Sequence, residues 1–363
     1  MDSDTSTTST ASTTSVPDGG QAAPPEHADQ PASAQLFMLL ASKWLLQSVH
    51  CLARLGIADL LADGPRDVAD LAARTGTHAP SLRRALRATA VVNVFTELPD
   101  GRYALTPQAE YLRTGTPGTL RPFAMFIGDD ALWRPYGDMM ETLRTGAPAF
   151  DRVHGMSVYE YLSAHPDLAA VFDDAMTALS EDSAHLYLKA HNFGRYRTIA
   201  DVGGGRGMML AAILQRYPDT RGILFDLPHV VADARATLDR AGIADRVDVV
   251  PGDFFADVPA GADAYILKTV LQNWNDDRAR HILGRIRAAI GDDDSARLLI
   301  LEDVIQPLNT WDVGKLVDID MMVTAGGRER TLDEWRELLA SASFDLVPDS
   351  VGTEWAVLEA SPK

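Results

Sequence analysis

The chain has 363 residues, of which 46% are hydrophobic, and its formal net charge is −18 at pH 7. This length predicts two domains with a sizeable core, and the negative charge argues against nucleic acid or an anionic membrane as a general partner. The single cysteine, Cys51, excludes an internal disulfide, and its apolar helical neighbourhood predicts a buried thiol. No apolar run is long enough to span a bilayer and no Lys or Arg precedes Lys43. We therefore expect no membrane span and no targeting peptide, and a cytoplasmic protein.

The N-terminal segment changes character near residue 34. Residues 1–34 consist almost entirely of Ser, Thr, Ala, Pro, Gly and acidic residues. Such a segment buries too little apolar surface to offset the entropy lost on ordering, so we predict a disordered tail. From Gln35 to Ala62, apolar side chains recur at helical spacing. Their stripe is too wide for one face against a small domain, and it predicts a helix that contacts the second subunit of a homodimer.

A helix-turn-helix followed by a hairpin is predicted between residues 67 and 106. Two short helical segments, D-V-A-D-L-A-A-R-T-G and A-P-S-L-R-R-A-L-R-A-T-A, precede V-F-T-E-L-P-D-G-R-Y-A-L-T, whose turn is P-D-G. This order is typical of a winged helix, which either binds DNA or serves as a packing and dimerisation module. DNA binding would use Arg83, Arg84 and Arg87. Three arginines in so acidic a chain favour the second alternative, and we assign residues 35–120 to a winged-helix dimerisation domain.

Residues 121–190 are predicted to be helical and rich in Met, Phe, Tyr and Trp, and we assign them to a substrate-pocket region. Side chains available for an apolar pocket wall are Pro122, Phe123, Met125, Phe126, Trp133, Tyr136, Met139 and Met140. Ordinary core packing explains most of them equally well. His154 precedes a helix with Tyr159 and Tyr161, and a later helix carries Met176 and Ser180.

The stretch I-A-D-V-G-G-G-R-G at 199–207 is followed by the helical pattern M-M-L-A-A-I-L-Q-R-Y. An apolar run, a glycine-rich turn and a helix form the opening unit of a nucleotide-binding α/β sheet. Glycine suits the turn because a side chain would keep the backbone away from a ligand at the strand end. Asp226 closes the next apolar run, where its carboxylate can accept both hydroxyls of a ribose. The third glycine comes too early for the dinucleotide pattern G-x-G-x-x-G, which argues against NAD.

Strands and helices alternate through the rest of the chain, which predicts an α/β fold class. Strands are expected near Thr198–Val202, Gly222–Asp226, Val247–Val250, Asp263–Lys268, Arg297–Glu302, Phe344–Pro348 and Glu354–Ala360. Five parallel strands closed by an antiparallel pair form a seven-stranded, Rossmann-like sheet, an arrangement that methyltransferases require and a standard dinucleotide fold does not. Residues 191–363 are assigned to this cofactor-binding domain.

Five motifs in order resemble the family of S-adenosylmethionine-dependent small-molecule O-methyltransferases. They are D-V-G-G-G-R-G at 201–207, D-L-P at 226–228, G-D-F-F at 252–255, L-K-T-V-L-Q-N-W at 267–274 and G-G-R-E-R-T at 326–331. The match is closest to the actinobacterial branch that acts on polyketides and antibiotics, with plant caffeate-type enzymes as more distant relatives. It covers about residues 35–361. The resemblance implies methyl transfer from S-adenosylmethionine to a hydroxyl of an aromatic or polyketide natural product.

The resemblance also implies which residues hold the adenosyl and methionine parts of the cofactor. Gly203, with its neighbours Gly204 and Gly205, would approach the methionine part. Asp226 would accept from the ribose hydroxyls, and Leu227 would pack against the adenine.

Five further residues complete the implied cofactor site. Asp253 and Phe254 would flank the base, with the acid accepting from its amino group. Lys268 would lie at the cofactor's polar end. Met176 and Ser180 match side chains around the methyl-bearing sulfur. No metal is implied, and Asp292–Asp294 is expected to be a solvated turn.

The catalytic motif departs from the family pattern. Most members have His-Asp before the tryptophan and use the histidine as general base on the substrate hydroxyl, whereas this chain has Gln272-Asn273. A carboxamide orients a hydroxyl by hydrogen bonding but cannot take its proton near neutral pH. General-base help is worth about 10²- to 10⁴-fold, so its absence must be reconciled with the substrate. Glu302 and Glu329 match the carboxylates that flank the family histidine, and around Gln272 they would bind substrate or cap loops.

Three interpretations of this departure stay open. The first is methyl transfer to an already acidic hydroxyl, in which positioning supplies most of the rate. The second moves the base to His154, whose alternative role is a helix-start residue with a satisfied ring. The third retains the cofactor without methylation, for hydroxylation, decarboxylation or ring formation. We favour methyl transfer.

Overall fold

The structure is a computed structural model that describes residues 31–348 and 357–363. Most of the predicted disordered tail lies outside these ranges. Residues 32–34, however, are already helical, so the tail prediction was wrong there, because alanine favours a helix. Residues 354–356 of the last predicted strand also lie outside the described residues. The chain divides into two compact units, one ending at Leu45 and the other beginning at Leu46.

The first helix, α1 (Ala32–Arg54), ends before Gly56, which adopts the left-handed conformation at φ 65°. A second helix, α2 (Ile57–Leu60), follows, so the single helix predicted over residues 35–62 is interrupted at the glycine. Cys51 is exposed, so the predicted buried thiol was wrong. The apolar surface of α1 is larger than the area that the rest of the described chain covers. Large exposed apolar side chains on α1 are Leu36, Phe37, Leu39, Leu40 and Trp44.

By length and composition α1 is also the one helix of the described residues that is apolar enough to cross a membrane, and 22% of its apolar window is buried. The sequence prediction missed this helix because it relied on uninterrupted apolar runs. A few polar residues interrupt such a run but leave the mean hydropathy of the helix high.

A helix-turn-helix and a hairpin follow as predicted. Helix α3 (Val68–Thr75) begins where Asp67 accepts from the Asp70 N–H at 2.8 Å and ends at the left-handed Gly76. Helix α4 (Ala79–Ala90) leads into the antiparallel strands β1 (Phe95–Glu97) and β2 (Tyr103–Leu105). Their buried side chains form one core that includes Leu71, Leu86 and Phe95.

The middle of the chain is helical, as expected. Its elements are α5 (Pro107–Glu110), α6 (Arg121–Ile127), α7 (Asp130–Trp133), a 3-10 turn (Arg134–Asp138), α8 (Met139–Thr145), α9 (Ala149–His154), α10 (Val158–Ala164) and α11 (Pro166–Ala190). Helix α10 starts with a capping box in which Ser157 and Glu160 exchange hydrogen bonds. The long α11 packs on α6 and on the α/β domain that follows.

The α/β domain is built on a seven-stranded sheet. In chain order its elements are β3 (Thr198–Val202), α12 (Met208–Arg216), β4 (Arg221–Asp226), α13 (Pro228–Val231), α14 (Ala234–Arg240), β5 (Val247–Pro251), β6 (Ala264–Lys268), α15 (Asp276–Ile290), β7 (Arg297–Leu301), β8 (Val304–Ile305), α16 (Gly314–Thr324), β9 (Arg330–Thr331), α17 (Leu332–Ser341), β10 (Phe344–Leu346) and β11 (Val357–Pro362). The large sheet has the order β10-β11-β7-β6-β3-β4-β5, and β8 pairs with β9 separately. Only β11 runs antiparallel to its neighbours β7 and β10.

Helices cover both faces of this sheet, which is why its central strands are continuous apolar runs. One layer packs α15 and α17 on the sheet, with Ile282, Leu283 and Trp335 fully buried. The other layer uses α12 and α14 through Leu210 and Leu238. The chain moves outward from β3 to β4 and β5 and then returns to β6 on the other side of β3. The carboxyl ends of β3 and β6 therefore form the switch point where ligands bind in open α/β sheets.

Candidate active site

The loop after β3 requires glycine for two different reasons. A Cβ on Gly203 would lie 2.8 Å from Val270 Cγ2, and one on Gly204 would lie 2.6 Å from Leu224 Cδ1, so both positions exclude larger side chains by packing within the chain. Gly205 has φ 59° and no atom within 4 Å of a built Cβ. Its open side is space for a ligand at the strand end, which fits the predicted cofactor position.

Asp226, at the end of β4, is tied to this loop. Its Oδ2 accepts from the Gly205 N–H at 2.8 Å, and its Oδ1 accepts from the Leu227 N–H at 2.6 Å. Burial raises the pKa of Asp226, and the two backbone donors lower it. A carboxylate has about four lone-pair positions, so two stay available for ribose hydroxyls. The Leu227 side chain is 36% exposed and lies beside them in sequence, which suits contact with a flat base.

Phe254 reaches the loop from the next strand end. Its ring comes within 3.6 Å of a Cβ built on Gly203 and packs edge-on against Trp274, with centroids 6.3 Å apart. Asp253 is exposed, and its Oδ1 accepts from the Phe255 N–H at 2.8 Å. Asp253 therefore caps the turn after β5, and its second oxygen is available to a ligand.

Lys268, at the end of β6, joins the switch point to α11. Its Nζ donates to Ser180 Oγ at 3.1 Å, and Met176 lies one helical turn before Ser180 on α11. Burial lowers the pKa of Lys268, and the Asp201 carboxylate raises it. The structure thus joins Lys268, predicted at the cofactor's polar end, to Ser180, predicted near the methyl-bearing sulfur, with Met176 on the same face of α11.

Asp201, inside β3, is a candidate site residue that was not predicted from the sequence. Its side chain is fully buried and neither oxygen has a hydrogen bond of normal geometry among the described residues. Burial raises the pKa of Asp201 to about 7, although the positive charge of Lys268 acts to lower it. The backbone N–H of Leu210 lowers the pKa of Asp201, as the smallest of the influences on it. An unmet buried acceptor below the glycine loop fits a ligand with a cationic amino group, and the acid inside an otherwise apolar strand was the available signal.

Gln272 lies in a 3-10 turn, Leu271–Asn273, directly after β6 and Lys268. Its Nε2 is 4.0 Å from Met321 Sδ on α16, and its backbone oxygen accepts from the Arg328 N–H at 2.8 Å. A Cβ on Gly327 would lie 2.0 Å from that oxygen, so the loop before β9 fits closely on the turn. The buried Arg330 donates to the carbonyls on both sides of Gln272. The turn that replaces the family's catalytic segment is therefore held rigidly.

Glu302 and Glu329 lie behind this turn. Glu302 Oε1 accepts from the N–H groups of Val270 and Leu271 at 2.9 and 2.6 Å, so Glu302 caps the turn. Burial raises the pKa of Glu302 to about 7, although the positive charge of Arg330 acts to lower it. Both oxygens of Glu329 are buried without a partner among the described residues, and burial, followed by the Glu302 charge, raises its pKa to about 9. The backbone N–H of Gln272 lowers the pKa of Glu302 by hydrogen bonding. Among the described residues, no hydrogen bond joins either carboxylate to the side-chain amide of Gln272.

His154 ends helix α9, which corrects its expected place at a helix start. Its Nε2 is 2.9 Å from the Ala131 carbonyl, and because a carbonyl only accepts, this nitrogen carries the proton. The ring lies between Phe150 and Tyr161, with centroids 4.4 and 4.7 Å away. Both the hydrogen bond and the ring contacts fit the alternative of a satisfied, structural histidine.

Two tyrosines add polar groups, one beside the turn that holds Gln272 and the other against α16. Tyr159 stacks on Trp274 with centroids 5.4 Å apart and an interplanar angle of 28°. Tyr136, expected as an apolar wall residue, donates a short hydrogen bond from its hydroxyl to Asp320 Oδ1 on α16. Asp320 lies in none of the five sequence motifs.

The fold and the site define a class of protein. A doubly wound seven-stranded sheet carries at its switch point a glycine loop, a strand-end acid and a lysine next to a buried acid. This arrangement suits a nucleoside cofactor with a charged amino-acid end, of the kind that methyltransferases use. A model of the O-methyltransferase domain matches residues 133–345, and a model of the O-methyltransferase dimerisation domain matches residues 37–115. The chain belongs to this O-methyltransferase family.

Similar proteins and structures agree with this assignment. The phenazine O-methyltransferase PhzM of Lysobacter antibioticus is 40% identical over 335 residues, which is 92% of this chain and 97% of that protein. The solved structure of LaPhzM covers 92% of this chain and 100% of its own, with a TM-score of 0.87. An 8-amino-8-demethylriboflavin N,N-dimethyltransferase of Streptomyces davaonensis is also 40% identical, over 93% of this chain and 97% of its own.

A neocarzinostatin-pathway O-methyltransferase, 31% identical with a TM-score of 0.76 over 88% of this chain and 96% of its own, was solved with S-adenosylmethionine. The protein is thus an S-adenosylmethionine-dependent methyltransferase of the natural-product type with an N-terminal dimerisation domain, and the predicted fold class and cofactor are confirmed. The relatives methylate both oxygen and nitrogen.

Proposed function

We propose that this enzyme transfers the methyl group of S-adenosylmethionine to a hydroxyl of an aromatic or polyketide natural product, mainly by proximity and orientation. The observation that carries the proposal is the rigid turn that holds Gln272, whose side-chain amide lies 4.0 Å from Met321 Sδ. An amide cannot act as a base near neutral pH. The stacked rings of Tyr159 and Trp274 near this turn support an aromatic acceptor. So do relatives whose names specify phenazine and mitomycin O-methylation.

The cofactor residues act before any chemistry. S-adenosylmethionine supplies an electrophilic methyl group when bound. In this proposal Asp226 accepts from its ribose hydroxyls and Asp253 and Phe254 flank its base, while Asp201 receives its amino group. Lys268, linked to Ser180, faces its carboxylate. Asp226, Asp253 and Lys268 are each held by a backbone group or a neighbouring side chain, so binding requires little reorganisation at these positions.

Positioning supplies most of the expected rate. Holding a nucleophile in line with its target is worth roughly 7–11 kcal/mol of the barrier when the geometry is a near-attack one. Gln272 contributes an orienting hydrogen bond to the acceptor, and the turn around it is fixed by Arg330 and Glu302. Met176, one turn from Ser180, contributes apolar contact near the reacting sulfur.

We also propose a cytoplasmic homodimer built on α1 and the winged domain. The dimerisation model covers residues 37–115, which includes the exposed Leu39, Leu40 and Trp44, and a dimer interface explains their exposure without a membrane. Light scattering is expected to give twice the 39.3 kDa chain mass, and a single-chain mass at micromolar concentration would contradict the dimer. A gel-shift assay with operator DNA at physiological salt should show no complex with the protein.

The function is tested with matched acceptors that carry either a hydroxyl or an amino group at the same ring position. Mass spectrometry of the product and of S-adenosylhomocysteine identifies the methylated atom and shows whether the cofactor is consumed. The proposal expects O-methylation with one equivalent of cofactor consumed. Conversion of substrate with the cofactor left intact would contradict methyl transfer and favour a non-methylating tailoring reaction.

Methyl transfer to an amino group is the second candidate. The observation in its favour is again Gln272, because a neutral amine attacks with a free lone pair and needs no base before bond formation. A relative that dimethylates an amine at 40% identity supports it. Faster conversion of the amino acceptor than of its hydroxyl partner would select this candidate.

A further inference from the structure

Asp320 is the acid nearest in sequence to Met321, the residue that Gln272 contacts, and it lies in none of the family motifs. Asp320 directly precedes Met321, whose sulfur is 4.0 Å from Gln272 Nε2, and α16 packs against the turn that carries Gln272. The Asp320 side chain is half-buried, so it remains accessible to a ligand. Glu302 and Glu329, in contrast, are fully buried behind the turn.

One oxygen of Asp320 is oriented and the other is free. The Tyr136 hydroxyl donates to Oδ1, and Oδ2 has no partner among the residues that the structure describes. Asp318, two residues earlier on α16, is used differently: its Oδ1 accepts from the Glu329 N–H at 2.8 Å. Residues two apart point to different sides of a helix, so only Asp320 shares the Tyr136 side.

Tyr159 is influenced by charges from both Asp320 and the cofactor site. Its ring stacks on Trp274, two residues after Gln272. The pKa of Tyr159 is raised by burial first, and then by the charges of Asp226 and Asp320. The strand-end acid of the cofactor site and Asp320 therefore both influence one tyrosine, whose ring stacks beside the turn that holds Gln272.

We propose that Asp320, oriented by Tyr136, is the residue that takes up the proton of the acceptor hydroxyl in place of the absent histidine. This inference rests on the proposed O-methylation. The acceptor's O–H bond breaks and its proton passes to Asp320 Oδ2. The O–CH₃ bond forms, and the electron pair of the broken S–CH₃ bond stays on sulfur. The positive sulfonium and the negative carboxylate thus end as a neutral thioether and a neutral carboxylic acid. Burial raises the pKa of Asp320, which brings its basicity closer to that of a phenolate.

The test compares hydroxynaphthalene and hydroxynaphthoquinone acceptors graded from strongly to weakly acidic. Asp320→Asn keeps the shape and an acceptor for Tyr136 but removes the base. Its loss of kcat should be small for the most acidic hydroxyl and grow toward about 10²- to 10⁴-fold for the least acidic. Tyr136→Phe should lose at most about tenfold, since it removes only the orienting bond. Asp333→Asn, an exposed acid on α17, is the control for lost charge and should leave every rate unchanged.

Binding of S-adenosylhomocysteine, measured by calorimetry, should be the same in wild type and Asp320→Asn. A loss of kcat that is equal for all acceptors, or no loss at all, would overturn the role of Asp320. Wild-type enzyme that methylates none of the hydroxyl acceptors would instead contradict the proposed function, and this inference with it.

Discussion

Asp226 Oδ2 accepts a hydrogen bond from the Gly205 N–H at 2.8 Å, so the residue expected to hold the ribose also holds the glycine loop. One side chain therefore couples the shape of the loop to the affinity of the site. A purely ligand-facing acid would leave the stability of the empty protein unchanged when it is removed. Here both properties depend on the same carboxylate.

Asp226→Ala is expected to abolish most S-adenosylmethionine affinity and also to lower the free energy of unfolding. Hydrogen bonds to a charged group contribute about 1.5–3 kcal/mol, and two backbone N–H groups lose their acceptor. Calorimetry and urea unfolding measure the two effects. Asp226→Asn, which keeps one acceptor oxygen, should recover part of the stability, and unchanged affinity in the alanine variant would remove Asp226 from the cofactor site.

Gly205→Ala separates backbone strain from ligand contact. Gly205 and Gly242 have φ 59° and φ 69°, and a Cβ at either meets nothing within 4 Å. Both alanine variants should lose about 1–2 kcal/mol of stability, the usual cost of a left-handed alanine. Only Gly205→Ala should weaken S-adenosylhomocysteine binding, because only its Cβ enters the ligand space. Equal affinities in the two variants would contradict that placement.

Glu329 predicts a pH dependence of stability. Its pKa rises from 4.5 to about 9 on folding, so between these values the folded protein keeps a proton that the unfolded chain releases. The free energy of unfolding should therefore fall as pH rises through this window. Asp201 and Glu302 act in the same direction only up to about 7.

Glu329→Gln isolates this effect between pH 7 and pH 9. The neutral amide cannot titrate, so the decline in urea-unfolding free energy over that range should become shallower than in wild type. The lowered pKa of Lys268 has the opposite sign, but it is common to both proteins and cancels in the comparison. Parallel curves for the two proteins would show that Glu329 is charged in the folded state.

Gln272→Ala should reduce kcat by at most about tenfold, because a single orienting hydrogen bond contributes about 0.5–1.5 kcal/mol. Initial rates with a hydroxyl acceptor measure this, and S-adenosylhomocysteine formation confirms that the same reaction is followed. A loss of a thousandfold or more would mean that Gln272 does more than orient the acceptor.

His154→Ala is expected to affect stability more than catalysis. The change removes the bond to the Ala131 carbonyl and the contacts with Phe150 and Tyr161, so unfolding should become easier by about 1–3 kcal/mol. His165→Ala is the matched control, since His165 also stacks on Tyr161 and bonds to its carbonyl. A large loss of kcat in His154→Ala with unchanged stability, together with an ascending pH limb near an imidazole pKa, would restore the displaced-base hypothesis.

Much of the sheet could be predicted because local apolar patterning determines buried parallel strands. The strand expected at Arg297–Glu302 was found at Arg297–Leu301, and the cofactor motifs follow strand ends, whose alignment in a parallel sheet is fixed by topology. The interruption of the first helix at Gly56 was missed because apolar spacing continues across the glycine.

The contacts that set the chemistry could not be predicted in the same way. Tyr136 and Asp320 are 184 residues apart, and neither lies in a motif, so only the folded chain brings the hydroxyl to the carboxylate. The unmet acceptors of Asp201 and Glu329 are likewise properties of three-dimensional packing. Spacing along the chain carries no information about which donors reach a buried acid.

The position of β11 has a consequence for synthesis on the ribosome. Val357 pairs with Leu301 of β7. Strand β10, made before β11, pairs with β11 and with no other strand in the described part of the chain. While the residues between Leu301 and Val357 are translated, at roughly 5–20 residues per second, the apolar β7 has an unpaired edge for about 3 to 11 seconds. During that interval the nascent chain presents a strand edge that other chains can pair with. Yield of this enzyme at high expression should therefore depend on translation speed and on chaperones that bind nascent chains.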